Sequence, residues 1–147
     1  MFLNDQQVLE IFSELPSHRG CSSEELNAVE QQFGIKLPRQ YRTMMQLDAE
    51  RLVSAEIVLP LRSLKQYRDE ASHILIRHGR SFRLAATDFV FAWDEVYAFY
   101  FFSANGESDS PVRKFNYYSS EDNWEPTVAC ATLAKYFAEA VRQYLKL

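Results

Sequence analysis

Apolar residues recur every three to four positions in five stretches of the chain, a spacing typical of helices that bury one face. The last stretch is the clearest, because Leu133, Phe137, Val141 and Tyr144 fall on one side of a helix. A proline or a glycine stands at or near the end of three of the others. The pattern predicts helices over about residues 5–15, 22–33, 61–79 and 132–147, and one that starts at residue 38.

A second pattern, rich in aromatic and β-branched residues, is typical of strands. It predicts strands over residues 81–87, 89–93, 96–102 and 112–118, with a short one at 53–59. Short connections favour antiparallel pairing. Helices stand before and after the strands without regular alternation. The sequence therefore predicts an α+β fold, with an antiparallel sheet of about four to five strands packed against N-terminal helices and a C-terminal helix.

The most specific local signal is a helix, a stop and a second helix start within residues 22–42. Ser22 and Glu25 have the spacing of a capping box, in which each side chain accepts a hydrogen bond from a backbone NH at the helix start. Gly34 follows the last apolar residue and is suited to a left-handed cap, with Ile35 placed to fold back onto the helix. Pro38 then fits the first position of the next helix.

This segment contains the motif Glu30-x-x-Phe33-Gly34-Ile35-x-Leu37-Pro38-x-x-Tyr41. The motif resembles the N-terminal motif of the SUKH superfamily, which includes a fungal regulator of cell-wall synthesis and many bacterial immunity proteins. The aromatic strands 89–102 and the Pro-Val strand entry at 111–112 resemble the second half of that family. The resemblance covers about residues 22–145 and implies a single SUKH-like domain over residues 1–147.

The chain departs from the family after Met45. The family often carries an Asn-Gly-Gly turn there, and this chain has Asp48-Ala49-Glu50-Arg51 instead. We expect the departure to change the local loop and to leave the fold intact.

The N-terminus lacks the basic flank and long apolar run of a signal peptide, and no apolar run is long enough to span a membrane. Cys21 and Cys130 stand far apart and belong to no metal-type spacing. We therefore expect a cytoplasmic protein with reduced thiols, and a disulfide only in an oxidising compartment.

The sequence contains no recognisable catalytic motif. The four glycines are too dispersed for a phosphate-binding loop, and no serine stands in a nucleophile elbow. His18, His73 and His78 have no metal-ligand spacing, and the adjacent carboxylates at 94–95 and 121–122 fit solvated turns better than an acid-base pair. Cys130, between two alanines, fits a small buried residue near a helix start. The sequence thus predicts no enzyme activity, no cofactor and no metal site.

Charge is unevenly distributed along the chain. Residues 62–83 carry a net charge of +4, whereas residues 88–125 carry −6, and the whole chain has −4. An acidic surface speeds encounter with a basic partner and disfavours binding of nucleic acid. The same charges also fit a solvated sheet edge that resists aggregation, and both interpretations stay open.

Aromatic residues lie beside the acidic loop, and aromatic side chains are common anchors of protein interfaces. Strand alternation predicts that only one of Tyr117 and Tyr118 faces inward. We expect contact with a partner protein from Asp94, Glu95, Tyr118, Glu121, Asp122 and Trp124.

Two functions from different classes follow from the resemblance. In the first, the chain is a non-enzymatic immunity protein that neutralises a basic, secreted toxin domain by occluding it. In the second, it is an intracellular regulatory scaffold for cell-wall or signalling proteins; the short chain without disordered flanks disfavours this role. An enzyme with an unrecognised site is a third alternative. Neither nucleic acid nor membrane is expected as a partner, and the sequence leaves the oligomeric state open.

Overall fold

A computed structural model of the chain describes residues 2–94, 98–117 and 125–147. Within them, five α-helices and one sheet confirm the α+β prediction. The helices are α1 (Asp5–Ser13), α2 (Ser23–Phe33), α3 (Arg39–Ser54), α4 (Leu64–Arg77) and α5 (Leu133–Leu145). The strands are β1 (Asp88–Asp94), β2 (Ala98–Ser103), β3 (Val112–Asn116) and β4 (Thr127–Cys130).

The predicted helix, stop and restart over residues 22–42 is present. Ser22 and Glu25 form the capping box, with reciprocal side-chain bonds of 3.1 and 3.0 Å to each other's backbone NH. Gly34 ends α2 in the left-handed conformation, and the Ile35 NH donates to the Glu30 carbonyl at 3.0 Å. Pro38 lies one position earlier than predicted, because its extended ψ of 144° makes it the cap of α3 and not its first helical residue.

The departure from the family motif falls at a kink within α3. Asp48 has the non-helical angles φ −162° and ψ 69°, and its carboxylate accepts a bond of 3.2 Å from the Arg51 NH. A side chain that accepts from the backbone NH three residues later is an N-terminal helix cap, so Asp48 starts the second half of α3. The helix is therefore kinked at the position where the sequence departs from the family motif.

The sheet is antiparallel, with strand order β1-β2-β3-β4. A β-bulge at Phe91 adds one residue to β1 opposite β2. One sheet face packs on α4, where the rings of Tyr67 and Trp93 are 5.2 Å apart. The other face packs on α3 and α5, through ring contacts of 5.5 Å between Tyr41 and Phe89 and of 5.0 Å between Tyr136 and Phe91. Helices thus cover both faces of an aromatic sheet.

Two predicted strands are not formed, and one strand of the sheet was not predicted. Residues 53–59 are not a strand, because α3 runs to Ser54 and Glu56 then turns the chain with φ 61°. Residues 81–87 are not a strand either, because a turn joins Ala85 to Asp88 by a backbone bond of 3.0 Å. The strand β4 was missed, since Cys130 was interpreted as a small buried residue near the start of the last helix. Cys130 is buried, as predicted, but in a strand.

Candidate partner-binding groove

The described part of the predicted contact surface lies at one end of the sheet, where β1 and β3 end and β2 begins. Asp94 ends β1 and pairs with Ala98, which pairs with Asn116 at the end of β3. The Tyr117 hydroxyl donates a bond of 3.3 Å to the Asp94 carbonyl, so these strand ends are linked directly. Of the predicted set, Asp94 alone lies in the described part of the chain. The others fall outside the described residues: Glu95, Tyr118, Glu121, Asp122 and Trp124.

A groove of about 1150 Å³ opens beside this end of the sheet. Its floor contains a row of paired residues, Ala92 on β1, Tyr100 on β2 and Lys114 on β3. One wall is the segment 53–60, and the other comprises residues from 136 to 144 on α5. We call this concave surface the α5 groove. Its volume is at the upper end of the range for small-molecule sites, and its open shape suits a polypeptide segment.

The segment 53–60 is fixed in place by bonds to both neighbouring elements. The Tyr136 hydroxyl on α5 donates to the Ile57 carbonyl at 2.7 Å. The Leu59 NH donates to the carbonyl of Phe91, the extra residue of the β-bulge, at 2.8 Å. A bulge leaves a ladder group unpaired, and here that group binds the groove wall. The groove is therefore built into the fold.

Acidic and apolar groups share the described lining of the groove. Glu56, Asp94 and Glu139 contribute three carboxylates, and Lys114 contributes one ammonium group. Val128 and Tyr144, which also line the groove, are 63% and 41% exposed. Exposed apolar side chains rimmed by polar ones often mark an interaction site. The lining thus favours a ligand that carries both positive charge and apolar groups.

Burial keeps the groove's hydroxyl and thiol groups protonated. It raises the pKa of Tyr100, and the nearby Asp94 carboxylate raises it further. Burial is also the largest cause of the raised pKa of Cys130. The Glu139 carboxylate adds to that increase through its charge and by accepting a bond of 3.7 Å from the thiol. Both groups therefore stay protonated near neutral pH, which disfavours the thiolate or phenolate that a nucleophile needs.

The helix α4 of the basic segment packs on the sheet face opposite Tyr100, although its Tyr67 also lines the groove. The helix α4 packs on β1 there and carries Lys65 and Arg77, which pair with Asp69 and Glu70 at 2.9 and 2.7 Å. Arg113 lies over the rings of Phe82 and Phe101 on the same face. The charge separation seen in the sequence is therefore partly spatial, since Lys65 and Arg77 are not among the described residues that line the groove.

The histidines do not form a metal site in the described part of the chain. His18 was predicted to be a surface or packing residue, and it packs on Phe12 with a centroid distance of 6.3 Å. Its carboxylate partner, Asp48, lies 30 positions away, which is why no local motif revealed the pair. Within the described residues, no cluster of three or more His, Cys, Asp or Glu side chains fits a metal ion.

Several groove residues were not predicted as site residues. Tyr100 lies in a strand and Glu139 in a helix. Both residue types are common in those elements, so neither residue stood out as a site residue. Tyr144 was assigned to the buried face of α5, yet it is among the exposed large hydrophobic residues. The groove joins segments more than 80 positions apart, so local spacing carries no signal for it.

A four-stranded antiparallel sheet between α4 and the other helices defines an α+β protein. A scan against protein families matches residues 20–139 to the SMI1/KNR4 family (SUKH-1). The chain belongs to this family, whose known roles include immunity and regulation through protein partners. A search of the curated proteins finds no match. In the described residues, no helix is both long and apolar enough to cross a membrane.

Proposed function

We propose that this protein is a non-enzymatic immunity protein, which binds a cognate toxin in the cytoplasm and neutralises it by occlusion. Family membership over residues 20–139 carries the proposal. The partner is a basic domain of a secreted toxin, and the chain acts as a single SUKH-like unit. Occlusion requires a rigid surface of complementary charge and no catalytic chemistry.

The proposed contact surface is the acidic end of the sheet. Asp94 stands there at the end of β1, and the segment between β3 and β4 begins and ends at neighbouring strands. We assign partner contact to Asp94, Glu95, Tyr118, Glu121, Asp122 and Trp124. Carboxylates would pair with lysine or arginine around the toxin's active site, and the aromatic residues would supply buried contact area.

The absence of catalysis is supported by the state of the described titratable groups. Burial raises the pKa of Tyr41 and of Tyr136, so both hydroxyls stay protonated. The thiols of Cys21 and Cys130 also have raised pKa values, again chiefly through burial. Each shift disfavours the charged form that a general base or nucleophile needs near neutral pH.

The proposal is tested by toxin protection in cells. The toxin domain is expressed with the wild-type chain or with the double variant Glu121→Lys and Asp122→Lys. We expect the wild type to restore growth and the double variant to fail to do so. The affinity of the purified double variant for the toxin domain should fall at least tenfold, because two attractive charges become repulsive. A folded double variant that protects fully would contradict the assignment of this surface.

A matched control carries the same change in net charge elsewhere. Glu14→Lys and Glu107→Lys alter two exposed acidic residues, at the end of α1 and in the loop between β2 and β3. This control should protect like the wild type. If the wild type protects against no toxin and instead binds several intracellular enzymes, the regulatory scaffold is the better account.

A further inference from the structure

The α5 groove lies outside the contact residues assigned above, apart from Asp94, and its lining identifies a ligand chemistry. Its charged residues in the described chain sum to −2, from three carboxylates and one ammonium group. Val128 and Tyr144 add exposed apolar surface at the rim. A buried core would enclose such side chains, whereas a docking site leaves them available.

The backbone at Glu56 is the second unusual feature of the groove. The Ile57 NH donates to the Leu52 carbonyl at 2.9 Å, which is the bond that closes a helix with a left-handed residue before it. That residue is Glu56, with φ 61°, where glycine would be free of strain. The chain thus bears backbone strain and places a carboxylate on the groove wall.

We propose that the α5 groove binds an extended basic segment of the partner protein, whose arginine or lysine side chains face the carboxylates that line the groove, those of Glu56, Asp94 and Glu139. Apolar side chains of the segment pack on Val128 and Tyr144. This inference rests on the proposed function for the identity of the partner, but it names a second contact region and the chemistry that the region recognises. Because the groove lining is acidic, charge complementarity favours binding of a basic segment over an acidic one.

Gln143 allows the charge dependence to be tested without disturbing the fold. It is exposed, and it lines the groove one turn of α5 beyond Glu139. Gln143→Glu should strengthen binding of a basic segment about threefold, and Gln143→Lys should weaken it about threefold, as expected for a single partly exposed charge. A purely structural effect would not change sign with the charge.

The first experiment uses a defined probe and does not need the toxin. The ¹⁵N-labelled chain is titrated with the acetylated, amidated peptide (Val-Arg)₄, and separately with (Val-Glu)₄. We expect saturable changes in the amide chemical shifts of Ala140, Tyr144 and Val128 with the basic peptide alone. The affinity obtained from them should fall in Gln143→Lys and rise in Gln143→Glu. Shifts spread over all acidic surfaces, or no saturable shift, would overturn the proposal. Concentration-dependent shifts without peptide would assign the groove to a second copy of the chain and also overturn it.

Two matched variants control for charge and strain. Glu139 is 51% exposed and pairs with Lys135 on the groove side, whereas Glu70 is 46% exposed and pairs with Arg77 across the sheet. Glu139→Gln should reduce peptide affinity about threefold, and Glu70→Gln should not.

Glu56→Gly should stabilise the fold but weaken peptide binding, whereas Ser17→Gly, which relieves a similar φ of 64°, should only stabilise the fold. Equal peptide affinity in Glu56→Gly and Ser17→Gly would contradict the role of Glu56.

Toxin protection separates this inference from the proposed function. If the peptide docks in the groove and no toxin is neutralised, the groove assignment stands and the immunity function fails. If the toxin is neutralised equally well by Gln143→Glu and Gln143→Lys, the function stands and the groove is not the second contact region.

Discussion

The imidazole of His18 and the carboxylate of Asp48 lie 3.0 Å apart, although 30 positions separate them in the chain. Asp48 is almost fully buried, with 2% of its side chain exposed. It also accepts bonds of 3.3 Å from the Arg19 NH and 3.2 Å from the Arg51 NH, and Arg51 Nη1 lies 3.5 Å away. One carboxylate therefore fixes the loop before α2 to the kink in α3.

Asp48→Ala should lower the free energy of unfolding by about 2 to 3 kcal/mol, because it removes the buried carboxylate shared by three partly buried hydrogen bonds, from His18, Arg19 and Arg51. Urea unfolding followed by circular dichroism measures the change. Glu50→Ala is the control, since its pair with Arg19 spans 3.7 Å and both side chains are mostly exposed. That change should cost less than about 0.5 kcal/mol. Similar losses in both variants would refute the central role of Asp48.

Two glycines should respond differently to alanine. A Cβ on Gly20 would overlap the backbone carbonyl of Gln46, which has no rotamer to move to. Gly20→Ala should therefore cost about 2 to 3 kcal/mol. Gly34 has open space around it but a φ of 65°, so Gly34→Ala should cost about 1 kcal/mol from backbone strain alone. Thermal melts of both variants test the order, and a larger loss at Gly34 would contradict it.

The Tyr41 hydroxyl is fully buried and has no hydrogen-bond partner among the described residues. Its ring packs on Phe89, Phe91 and Phe102. Tyr41→Phe should keep the packing, remove an unsatisfied polar group and raise the free energy of unfolding by about 1 kcal/mol. Tyr136→Phe should instead lower it by about 1 kcal/mol, because that hydroxyl donates to the Ile57 carbonyl. A clear loss of stability in Tyr41→Phe would show that its hydroxyl has a partner.

The reactivity of Cys130 should depend on Glu139. Burial first, and then the Glu139 carboxylate, raises the thiol pKa, so less thiolate is present at a given pH and alkylation is slow. Glu139→Gln removes the carboxylate charge, lowers the pKa and should shift the pH profile of alkylation to lower pH. Iodoacetamide labelling with site-resolved mass spectrometry measures it. Cys21, whose pKa is raised by burial and by Glu25, should keep its profile, and an unchanged Cys130 profile would refute the coupling.

The features predicted correctly from the sequence depend on neighbours within one or two helical turns. The Ser22 capping box and the Gly34 stop are of this kind, and so is the buried helix face of Leu133, Phe137 and Val141. Each is decided by local hydrogen bonds and by the helical period. These signals were enough to place the chain in its family.

The features that were missed depend on contacts between distant segments. β4 pairs with β3 through Thr127 and Val128, but it is only four residues long and its second half, Ala129 and Cys130, carries no strand pattern. Residues 81–87 have strand-like composition, but the backbone bond from Asp88 to Ala85 turns them away from the sheet. The α5 groove likewise arises where α5, the β-bulge and segment 53–60 meet. Of the site residues predicted from the sequence, Asp94 alone lies in the described chain, beside that groove.

The most direct test of the account is the partner itself. The chain is used as bait in its native host, captured proteins are identified by mass spectrometry, and the stoichiometry of each purified complex is measured. The account predicts a one-to-one complex with the C-terminal domain of a large secreted protein, and restored growth when that domain is expressed with this chain. Capture of several intracellular signalling or cell-wall enzymes, without such a domain, would contradict it.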